Sequence, residues 1–492
     1  MKDPDVQTMY VLVGLTLIAT VLRLYHLGIN SLWIDEAWSL FASSQPWHLI
    51  PFSDIHPPLY YWLLKIGVMV FGQDEWGIRM VSALLGIIAV PLTYLLGKEI
   101  AGRNIGLFAA AMMAFSPMAI YYSQEARMYT LVMVLFILFM ILLLRGLREQ
   151  SLWQWLALAV VSALMQWTHY FMVVPVLVVW LFLLVHNNEK PVWFGFLAYL
   201  VYSFPLIIPF TKALYTKVSL EGSTAALTGI DIISQPIIHW SSTISYFAAF
   251  FVIFAAFGII NLLLKHRKEV ADVILVLFAT TFIGAYALSF MMMIHERYFL
   301  FLLPLFFILI GCGLLMVISQ ISTRDRTTTA LIAILFVAIS AVPLADYYTT
   351  PQKADWSGHN QVVQDFTYEG DSVALLVNRG YYELFTYYYD NKTDMTETYQ
   401  FASLSGLKRV VYGSHNNTVV FLPSDEIPEE ILEAKHIMEF VNATGTRAGE
   451  HGGFTVYRIP YGTDVGDLGI LENPLEQQIF QSVFGGGNVG GR

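Results

Sequence analysis

The feature of this sequence that most restricts its fold is a series of apolar runs, each close to 20 residues long. A run of that length matches the hydrocarbon core of a bilayer, which is about 30 Å thick. Only 13% of the 492 residues are charged, roughly half the share found in ordinary globular chains. The sequence therefore predicts a polytopic α-helical membrane protein with about 11 spans. The predicted spans lie at 9–27, 78–96, 105–122, 129–146, 152–168, 171–186, 192–210, 241–264, 272–293, 299–319 and 329–346.

A further apolar run, residues 59–71, decides the predicted topology. It is short for a span, contains Lys65, and follows two prolines. If it lies flat at the membrane surface, the basic loops between spans all face the cytoplasm, as the positive-inside rule requires. Those loops hold Lys98, Arg103, Arg145, Arg148, Lys190, Lys265, Arg267, Lys268, Arg324 and Arg326. We therefore expect a cytoplasmic N-terminus, juxtamembrane helices in the first exterior loop (28–77), and an exterior C-terminal domain.

The character of the chain changes near residue 349, where polar sequence replaces the apolar runs. We expect a transmembrane domain over 1–348, a soluble α/β domain over 349–475 and a flexible glycine-rich tail over 476–492. Short apolar runs that alternate with helical patterns predict the α/β domain. The runs are SVALLVN (372–378), TVVFL (418–422) and FTVYRI (454–459), and one helical pattern is SDEIPEEILEAKHIMEF (424–440). Three sequons in this domain, at Asn391, Asn416 and Asn442, agree with an exterior location.

Charge and cysteine content exclude two classes of function. The net charge is −10, and the basic residues sit in short loops and not in one stripe, so we expect no nucleic-acid partner. The single cysteine, Cys312, lies in an apolar run and is predicted to be a packed residue. One cysteine allows neither a disulfide framework nor a cysteine-rich metal site.

Charged residues gather on the predicted exterior side of the membrane. The stretch SLWIDEAWSL holds Asp35 and Glu36, and FSDIHPPL holds Asp54 and a His-Pro-Pro that begins at His56. Three arginines lie at the exterior ends of spans: Arg79, Arg127 and Arg297. Ionisable residues at membrane depth usually face a partner or a cavity. One site could employ them all, with carboxylates taking a proton and arginines holding a lipid-borne phosphate.

Four blocks of the sequence resemble the GT-C glycosyltransferases. They are DEAWSL, HPPLYYWLLK, FGQDEWGIRMVSALLG and SPMAIYYSQEARMYTL, in this order across residues 30–130. THY (168–170), ERYFLFLLP (296–304) and KADW (353–356) agree more loosely. The resemblance is to the dolichyl-phosphate-mannose protein mannosyltransferases and the lipid A aminoarabinose transferases. The resemblance covers the membrane half of the chain, whereas the soluble C-terminal part shows no motif specific to these families.

The resemblance implies an inverting glycosyltransferase in the plasma membrane. Such an enzyme passes a sugar from a polyprenyl-phosphate donor, dolichyl or undecaprenyl, to a protein, lipid or glycan acceptor on the non-cytoplasmic face. The expected catalytic residues are Asp35 as general base, Glu36 beside it and Glu125. The expected ligands of the donor phosphate are Arg127 and Arg297, with His56, Lys65 and Arg79 as further candidates. The expected substrate pocket includes Tyr122, His169, Tyr170 and Tyr298.

Other interpretations of these residues stay open. The Asp-Glu pair could simply begin an interfacial helix, His56-Pro57-Pro58 could be a turn before a helix, and FSDIH (52–56) could be a flexible loop. Arg127 could pair only with Glu125. Arg297 could pair only with Glu296 or extend to the headgroups, as Lys65 could, and His169 and Tyr170 could be interface aromatics.

Two further alternatives concern a metal and another class of protein. Asp35, Glu125 and His56 could ligate a divalent cation such as Mg²⁺ or Mn²⁺, because hard cations favour oxygen ligands. A polytopic transporter, a lipid-glycan flippase, or a glycan polymerase or ligase would have a similar composition. Transporters commonly contain inverted repeats, and the sequence has no clear internal repeat.

Overall fold

The structure of the protein is a computed structural model. It describes residues 4–187, 189–212, 227–241, 245–265, 267–291, 293–321, 325–350, 353–375, 379–389, 397–400, 403–414, 416–423, 434–451 and 454–466. The predicted tail (476–492) and Asn391 lie outside these ranges. The chain forms two compact units: a helical unit (Met1–Ile29 and Ala42–Pro351) and an α/β unit (Asn30–Phe41 and Gln352–Arg492). This division differs from the predicted domains because residues 30–41 group with the C-terminal part of the chain.

The described part of the helical unit consists mainly of α-helices. Helix α2 (Ile34–Ser44) begins in the α/β unit and ends in this one. The other helices are α1 (Pro4–Leu24), α3 (Leu59–Phe71), α4 (Glu75–Ala101), α5 (Arg103–Phe115), α6 (Pro117–Ser123), α7 (Tyr129–Glu149), α8 (Leu152–Thr168), α9 (Val173–His186), α10 (Lys190–Ser203), α11 (Asp231–Trp240), α12 (Ser245–Leu264), α13 (Lys268–Leu288), α14 (Leu303–Ile321) and α15 (Asp325–Thr349). Short 3-10 helices occupy Ile50–Phe52, Tyr170–Met172, Phe204–Leu206 and Glu296–Leu302.

Every predicted span overlaps one of these helices, but the number of membrane crossings stays a prediction. Within the described ranges, six helices are long and apolar enough to cross a membrane, or seven if α5 and α6 form one broken span. The six are Asp5–Leu24, Glu75–Ala101, Tyr129–Glu149, Lys190–Lys212, Lys268–Leu288 and Glu296–Ile318. The predicted short helix at 59–71 is present as α3, with 13 residues. Its flat orientation in the membrane also stays a prediction.

A buried arginine stabilises the bend of 59° between α5 and α6. Pro117 begins α6 and has no backbone N–H, so it cannot donate to the carbonyl of Met113 one turn earlier. The Arg23 side chain, which is fully buried, replaces that donor: its Nη2 lies 2.8 Å from the Met113 oxygen. Its Nη1 lies 3.2 Å from the oxygen of Ala114. The guanidinium of α1 thus satisfies carbonyls that the broken helix leaves without their usual donors.

The end of α1 is held by side chains from two other segments. Gln124, which follows α6, donates from Nε2 to the carbonyls of Arg23 at 3.0 Å and Tyr25 at 2.7 Å. Tyr348 of α15 donates its hydroxyl to the carbonyl of Leu22. These bonds pair the last carbonyls of α1, which have no donors within the helix itself.

Helices α12 and α14 approach closely because each presents a glycine to the other. A Cβ atom on Gly258 would lie 2.1 Å from the Leu309 carbonyl oxygen, and one on Gly313 would lie 1.9 Å from that of Phe254. Small residues commonly permit such contact between membrane helices. Asn261 of α12 donates across the same interface to the carbonyl of Cys312 at 2.6 Å. Cys312 is buried, as the sequence predicts.

The α/β unit contains a five-stranded sheet with the order β2-β1-β3-β5-β4. Its strands are β1 (Ser372–Leu375), β2 (Glu397–Gln400), β3 (Thr418–Pro423), β4 (Thr446–His451) and β5 (Phe454–Ile459). Strand β1 pairs in parallel with β2 and β3, and β5 pairs antiparallel with β3 and β4. The three apolar runs that predicted strands form β1, β3 and β5.

Helices of the α/β unit pack an apolar face onto this sheet. They are α16 (Trp356–Asp365), α17 (Arg379–Tyr388), α18 (Leu404–Gly413) and α19 (Ala434–Thr444). Leu407 and Val410 of α18 and Val441 of α19 share one buried cluster with Val420 of β3 and Ile459 of β5. The predicted helix at 424–440 overlaps α19, and residues 424–433 lie outside the described ranges.

The role of Arg23 in the bend can be tested by substitution. Arg23→Leu removes the donors to the Met113 and Ala114 carbonyls, and each unsatisfied buried carbonyl costs about 1–3 kcal/mol. We expect a clearly lower melting temperature in detergent. The matched control is Arg148→Leu, because Arg148 is mostly exposed and such surface pairs contribute little. An unchanged melting temperature for Arg23→Leu would show that the bend does not need this side chain.

Candidate active site

A buried carboxylate–imidazole pair occupies the loop before α3. The Oδ2 atom of Asp54 lies 2.9 Å from Nδ1 of His56 and also accepts a hydrogen bond from the Tyr61 hydroxyl. The Oδ1 atom of Asp54 accepts from the backbone N–H of Ile55 at 2.7 Å. The Asp54 side chain is only 4% exposed. These bonds hold the Asp54 carboxylate in place and do not favour a flexible loop at residues 52–56.

The surroundings of Asp54 keep it ionised. Burial acts to raise the pKa of its carboxyl, but the charge and hydrogen bond of His56, the charge of Arg127 and the hydrogen bond of Tyr61 outweigh it. The pKa of Asp54 therefore lies well below its usual range. A carboxylate with so low a pKa is a weak base. Asp54 is consequently better suited to orienting His56 than to taking a proton from a substrate.

A tight turn between α6 and α7 places Arg127 near this pair. The backbone N–H of Arg127 donates to the carbonyl of Glu125 at 2.8 Å, and the carbonyl of Arg127 accepts from the Ser82 hydroxyl at 3.1 Å. The hydroxyl groups of Ser82 and Tyr60 lie 2.8 Å apart. Side chains of α3 and α4 thus fix the backbone of Arg127, whose guanidinium interacts electrostatically with Asp54.

Aromatic rings connect His56 with Arg297. The His56 and His169 ring centroids lie 5.8 Å apart, and His169 lies 4.9 Å from the ring of Tyr298. Tyr129 lies 6.1 Å from His169 and 6.4 Å from Tyr298. The Arg297 guanidinium lies over the Tyr129 ring, with Cζ 5.7 Å from its centroid, which is a cation–π geometry. Nδ1 of His169 accepts the backbone N–H of Phe171 at 3.2 Å, so Nε2 carries the proton and is a donor.

Glu125 and Tyr122 belong to the same group of side chains. Glu125 is 1% exposed, and the Tyr122 hydroxyl interacts electrostatically with Glu125, Glu296 and Arg297. The rings of Tyr122 and Tyr129 lie 5.5 Å apart. The structure thus brings seven of the predicted site residues into one region of the helical unit. We call this region, together with Asp54, Tyr61 and Tyr129, the ionic cluster; the seven are His56, Tyr122, Glu125, Arg127, His169, Arg297 and Tyr298.

Two predicted phosphate ligands have structural contacts instead. Lys65 donates to the carbonyls of Ser43, Ser44 and Gln45 at 3.0, 3.1 and 2.8 Å, so its three N–H groups bind the C-terminal end of α2. Arg79 is 2% exposed and donates from Nη1 to the Leu27 carbonyl at 2.9 Å. These bonds do not favour phosphate binding by either side chain, and that role stays a prediction for both.

The two acids of the DEAW block lie in the α/β unit, in the first turn of α2. Their environments differ. Glu36 is fully buried, and its Oε2 lies 2.8 Å from Nζ of Lys353 and 3.3 Å from the backbone nitrogen of Trp33. Asp35 is partly exposed. Glu36 therefore has a structural ion pair, and its expected catalytic role stays a prediction.

The remaining expectations concern Tyr170 and a metal. Tyr170 is partly exposed, and its ring lies 5.0 Å from that of Phe210. In the part of the chain that the structure describes, no three His, Cys, Asp or Glu side chains are grouped so that they could hold a metal ion. A divalent cation held by Asp35, Glu125 and His56 stays a prediction.

The sequence indicates Asp54 only as one of several exterior charged residues, and it assigns no role to Tyr61 or Tyr129. A usable signal was present: the acid Asp54 lies two residues before the His-Pro-Pro. A carboxylate in such a sequence needs a partner, and the nearest imidazole is two positions away. The hydrogen bond from Tyr61 joins the first turn of α3 to the preceding loop, and nothing in the sequence pairs these two side chains.

Comparisons of the sequence with known families agree with the resemblance to GT-C glycosyltransferases. A family model described as dolichyl-phosphate-mannose-protein mannosyltransferase matches residues 55–215, about a third of the chain. An undecaprenyl phosphate-alpha-4-amino-4-deoxy-L-arabinose arabinosyl transferase of Pseudomonas savastanoi is 32% identical over 115 residues, 21% of this chain and 22% of its own. The chain matches about a fifth of the length of such curated relatives.

Comparisons with solved structures identify the fold. ArnT from Cupriavidus metallidurans superposes with a TM-score of 0.63 at 12% identity, over 91% of this chain and 97% of that one. The archaeal oligosaccharyltransferase AglB from Archaeoglobus fulgidus gives a TM-score of 0.57 at 10% identity, over 85% of this chain and 70% of that one. The chain therefore has the GT-C fold.

The contribution of Asp54 can be tested through its dependence on pH. We expect Asp54→Asn to lower the melting temperature in detergent at neutral pH, because the variant loses the charge that pairs with His56 and Arg127. Because the carboxyl pKa is lower in the folded protein than in the unfolded chain, the ionised carboxylate stabilises the fold at a pH above the unfolded-state pKa of about 3.9. This stabilisation is lost progressively as the pH falls below that value. The difference in melting temperature between wild type and Asp54→Asn should therefore become smaller below about pH 4. A difference that stays constant across that range would contradict the ion pair.

Proposed function

We propose that the protein is an inverting glycosyltransferase whose donor is a sugar linked to a polyprenyl phosphate. The ionic cluster carries this proposal, because it gathers two guanidiniums, two imidazoles and several tyrosine rings at the ends of apolar helices. A GT-C fold supports it as well. One solved structure with this fold is ArnT from Cupriavidus metallidurans bound to undecaprenyl phosphate. Another is AglB in complex with an inhibitory peptide and a dolichol-phosphate.

In this proposal the donor phosphate binds in the ionic cluster, at Arg127, Arg297 and His56. A guanidinium has five N–H donors, so each arginine can keep a carboxylate or ring contact and still bind a phosphate. A phosphate also suits the position of the cluster, because its residues lie in turns and at helix ends. A polyprenyl chain would extend from there along the apolar helices, and the tyrosine and histidine rings would border the sugar.

The reaction proposed is a single displacement at the anomeric carbon. An acceptor oxygen or nitrogen forms the new bond to this carbon, and the bond from the carbon to the phosphate oxygen breaks on the opposite face. The bonding electrons leave with the phosphate, whose added charge is stabilised by Arg127 and Arg297. The acceptor's proton passes to the carboxylate of Asp35, which acts as general base.

The contrast between the two adjacent acids supports Asp35 as the base. Glu36 is buried and bonded to Lys353, so its charge is already compensated. Asp35 is partly exposed and could meet an acceptor. Asp54 is ionised as well, but its depressed pKa makes it a poor acceptor of protons.

We also propose that this chemistry takes place on the exterior face of the plasma membrane. The distribution of basic residues among the loops supports that orientation. The acceptor is a protein, a lipid or a glycan that reaches the same face. A transporter or flippase would bind the donor without transferring its sugar, and the GT-C fold gives such a function no support.

The proposed function and its base are tested together by sugar transfer in proteoliposomes. The purified protein should transfer radiolabel from a polyprenyl-phosphate sugar to an acceptor in membrane extracts. Asp35→Asn should lower turnover by about 10²–10⁴-fold, the usual contribution of a general base, while donor binding stays within a few-fold. The matched control is Asp346→Asn, an acid near the exposed end of α15. Donor binding without any transfer by wild type would favour transport, and full activity in Asp35→Asn would exclude this base.

The phosphate contacts are tested by substitution of Arg297. Arg297→Lys keeps the charge but loses the planar fork that binds a phosphate through two hydrogen bonds. We expect kcat/KM to be roughly 10-fold lower for Arg297→Lys and lower by 10²-fold or more for Arg297→Met. Each factor of ten corresponds to a loss of about 1.4 kcal/mol of transition-state stabilisation. Equal kcat/KM for wild type and Arg297→Met would show that Arg297 does not bind the donor phosphate.

A further inference from the structure

We propose that the α/β unit holds the DEAW segment in its active conformation through Lys353, which makes Lys353 a positioning residue for Asp35. The inference rests on the proposed function, in which Asp35 is the base. It concerns the KADW sequence (353–356), whose residues have no role in the proposed reaction. We call residues 31–36 the base segment.

The ion pair between Lys353 and Glu36 is the strongest link to the base segment. Lys353 Nζ lies 2.8 Å from Glu36 Oε2, and the two side chains are 7% and 0% exposed. The same carboxylate oxygen lies 3.3 Å from the backbone nitrogen of Trp33. Glu36 therefore joins the C-terminal part of the chain to the N-terminal end of α2.

Three more hydrogen bonds attach the base segment to the α/β unit. The backbone N–H of Leu32 donates to the Tyr388 hydroxyl at 2.7 Å. The Ser31 hydroxyl accepts from the backbone N–H of Ser357 at 3.3 Å and lies 3.5 Å from Oδ1 of Asp355. The two residues that precede Trp33 are thus bonded to residues that follow Lys353, and the Lys353–Glu36 ion pair is the buried, charged member of the set.

This arrangement limits the movement of Asp35. Asp35 and Glu36 are neighbours in the first turn of α2, and their Cα atoms are about 3.8 Å apart. A helical turn fixes the angle between consecutive side chains, so an anchored Glu36 also determines the direction of Asp35. The Ser39 hydroxyl, one turn later in α2, donates to the Asp35 carbonyl at 2.8 Å. The backbone of Asp35 is therefore bonded to the following turn of the helix.

The chemistry of the pair explains why Lys353 matters more than a surface lysine. Removing one partner of a buried ion pair leaves the other charge uncompensated, which is strongly unfavourable, whereas removing both charges is often nearly neutral. Loss of Lys353 should therefore displace Glu36 toward water and take Asp35 with it. The α/β unit would then be needed for the chemical step itself, in addition to any part it has in acceptor binding.

The experiment compares Lys353→Met, Lys353→Arg, Glu36→Gln and the double variant Glu36→Gln/Lys353→Met in the full-length protein. We expect Lys353→Met to lower kcat by 10- to 100-fold with a donor KM within about threefold of wild type, because only the geometry of the base changes. Lys353→Arg should retain most of the activity. The kcat of the double variant should be at least 10-fold higher than that of Lys353→Met, because the double variant leaves no buried charge unpaired. Lys408→Met, a lysine of α18 in the same unit, is the matched control and should behave as wild type.

Hydrogen exchange supplies a readout that does not depend on activity. The amides of residues 31–38 should exchange at least 10-fold faster in Lys353→Met than in wild type, and at nearly wild-type rates in Lys353→Arg. Unchanged exchange and unchanged kcat in Lys353→Met would overturn the inference. The inference would also be overturned if the double variant were as inactive as Lys353→Met while Glu36→Gln stayed active. That result would mean that Lys353 contacts the substrate. Wild-type protein without transfer would remove the proposed function, and the exchange result would still decide whether Lys353 holds the base segment.

Discussion

The constraint on which this structure depends is the cost of placing a charge among apolar helices. An ionised side chain at that depth persists only if backbone dipoles, opposite charges or water compensate it. Arg23 shows the simplest solution, since its guanidinium occupies carbonyls that the bend at Pro117 leaves without donors. Lys65 follows the same rule at the end of α2. In both cases the cation completes the hydrogen bonding of the backbone.

The ionic cluster follows a different rule, and this difference supports a functional role. Its cations and anions meet other side chains: Asp54 meets His56 and Arg127, and Arg297 lies over Tyr129. Such an arrangement is not required to complete any helix. It does provide several donors and rings in one place, which is what recognition of a phosphate-linked sugar requires.

The sequence predicts much of the fold and part of the site. Apolar runs predict the helices because a membrane span must satisfy its own backbone, so length and composition suffice. Strands β1, β3 and β5 are predicted for a similar reason, since short β-branched runs mark a buried sheet. Arg127 and Arg297, which the sequence places at exterior span ends, lie in the same cluster as His169 in the structure, and their binding of a phosphate stays a prediction. Hydrogen bonds between distant segments are harder to predict: nothing in the sequence pairs Lys353 with Glu36, or pairs Lys65 and Arg79 with the carbonyls to which they donate.

The central claim is that the ionic cluster holds the phosphate of a lipid carrier. Native mass spectrometry of the purified protein with undecaprenyl phosphate and with undecaprenol, which has the same chain without the phosphate, tests it directly. We expect at least 10-fold tighter binding of the phosphate-bearing lipid, with the preference reduced in Arg127→Met. Equal affinity for the two lipids would contradict it, because the chain alone would then account for binding.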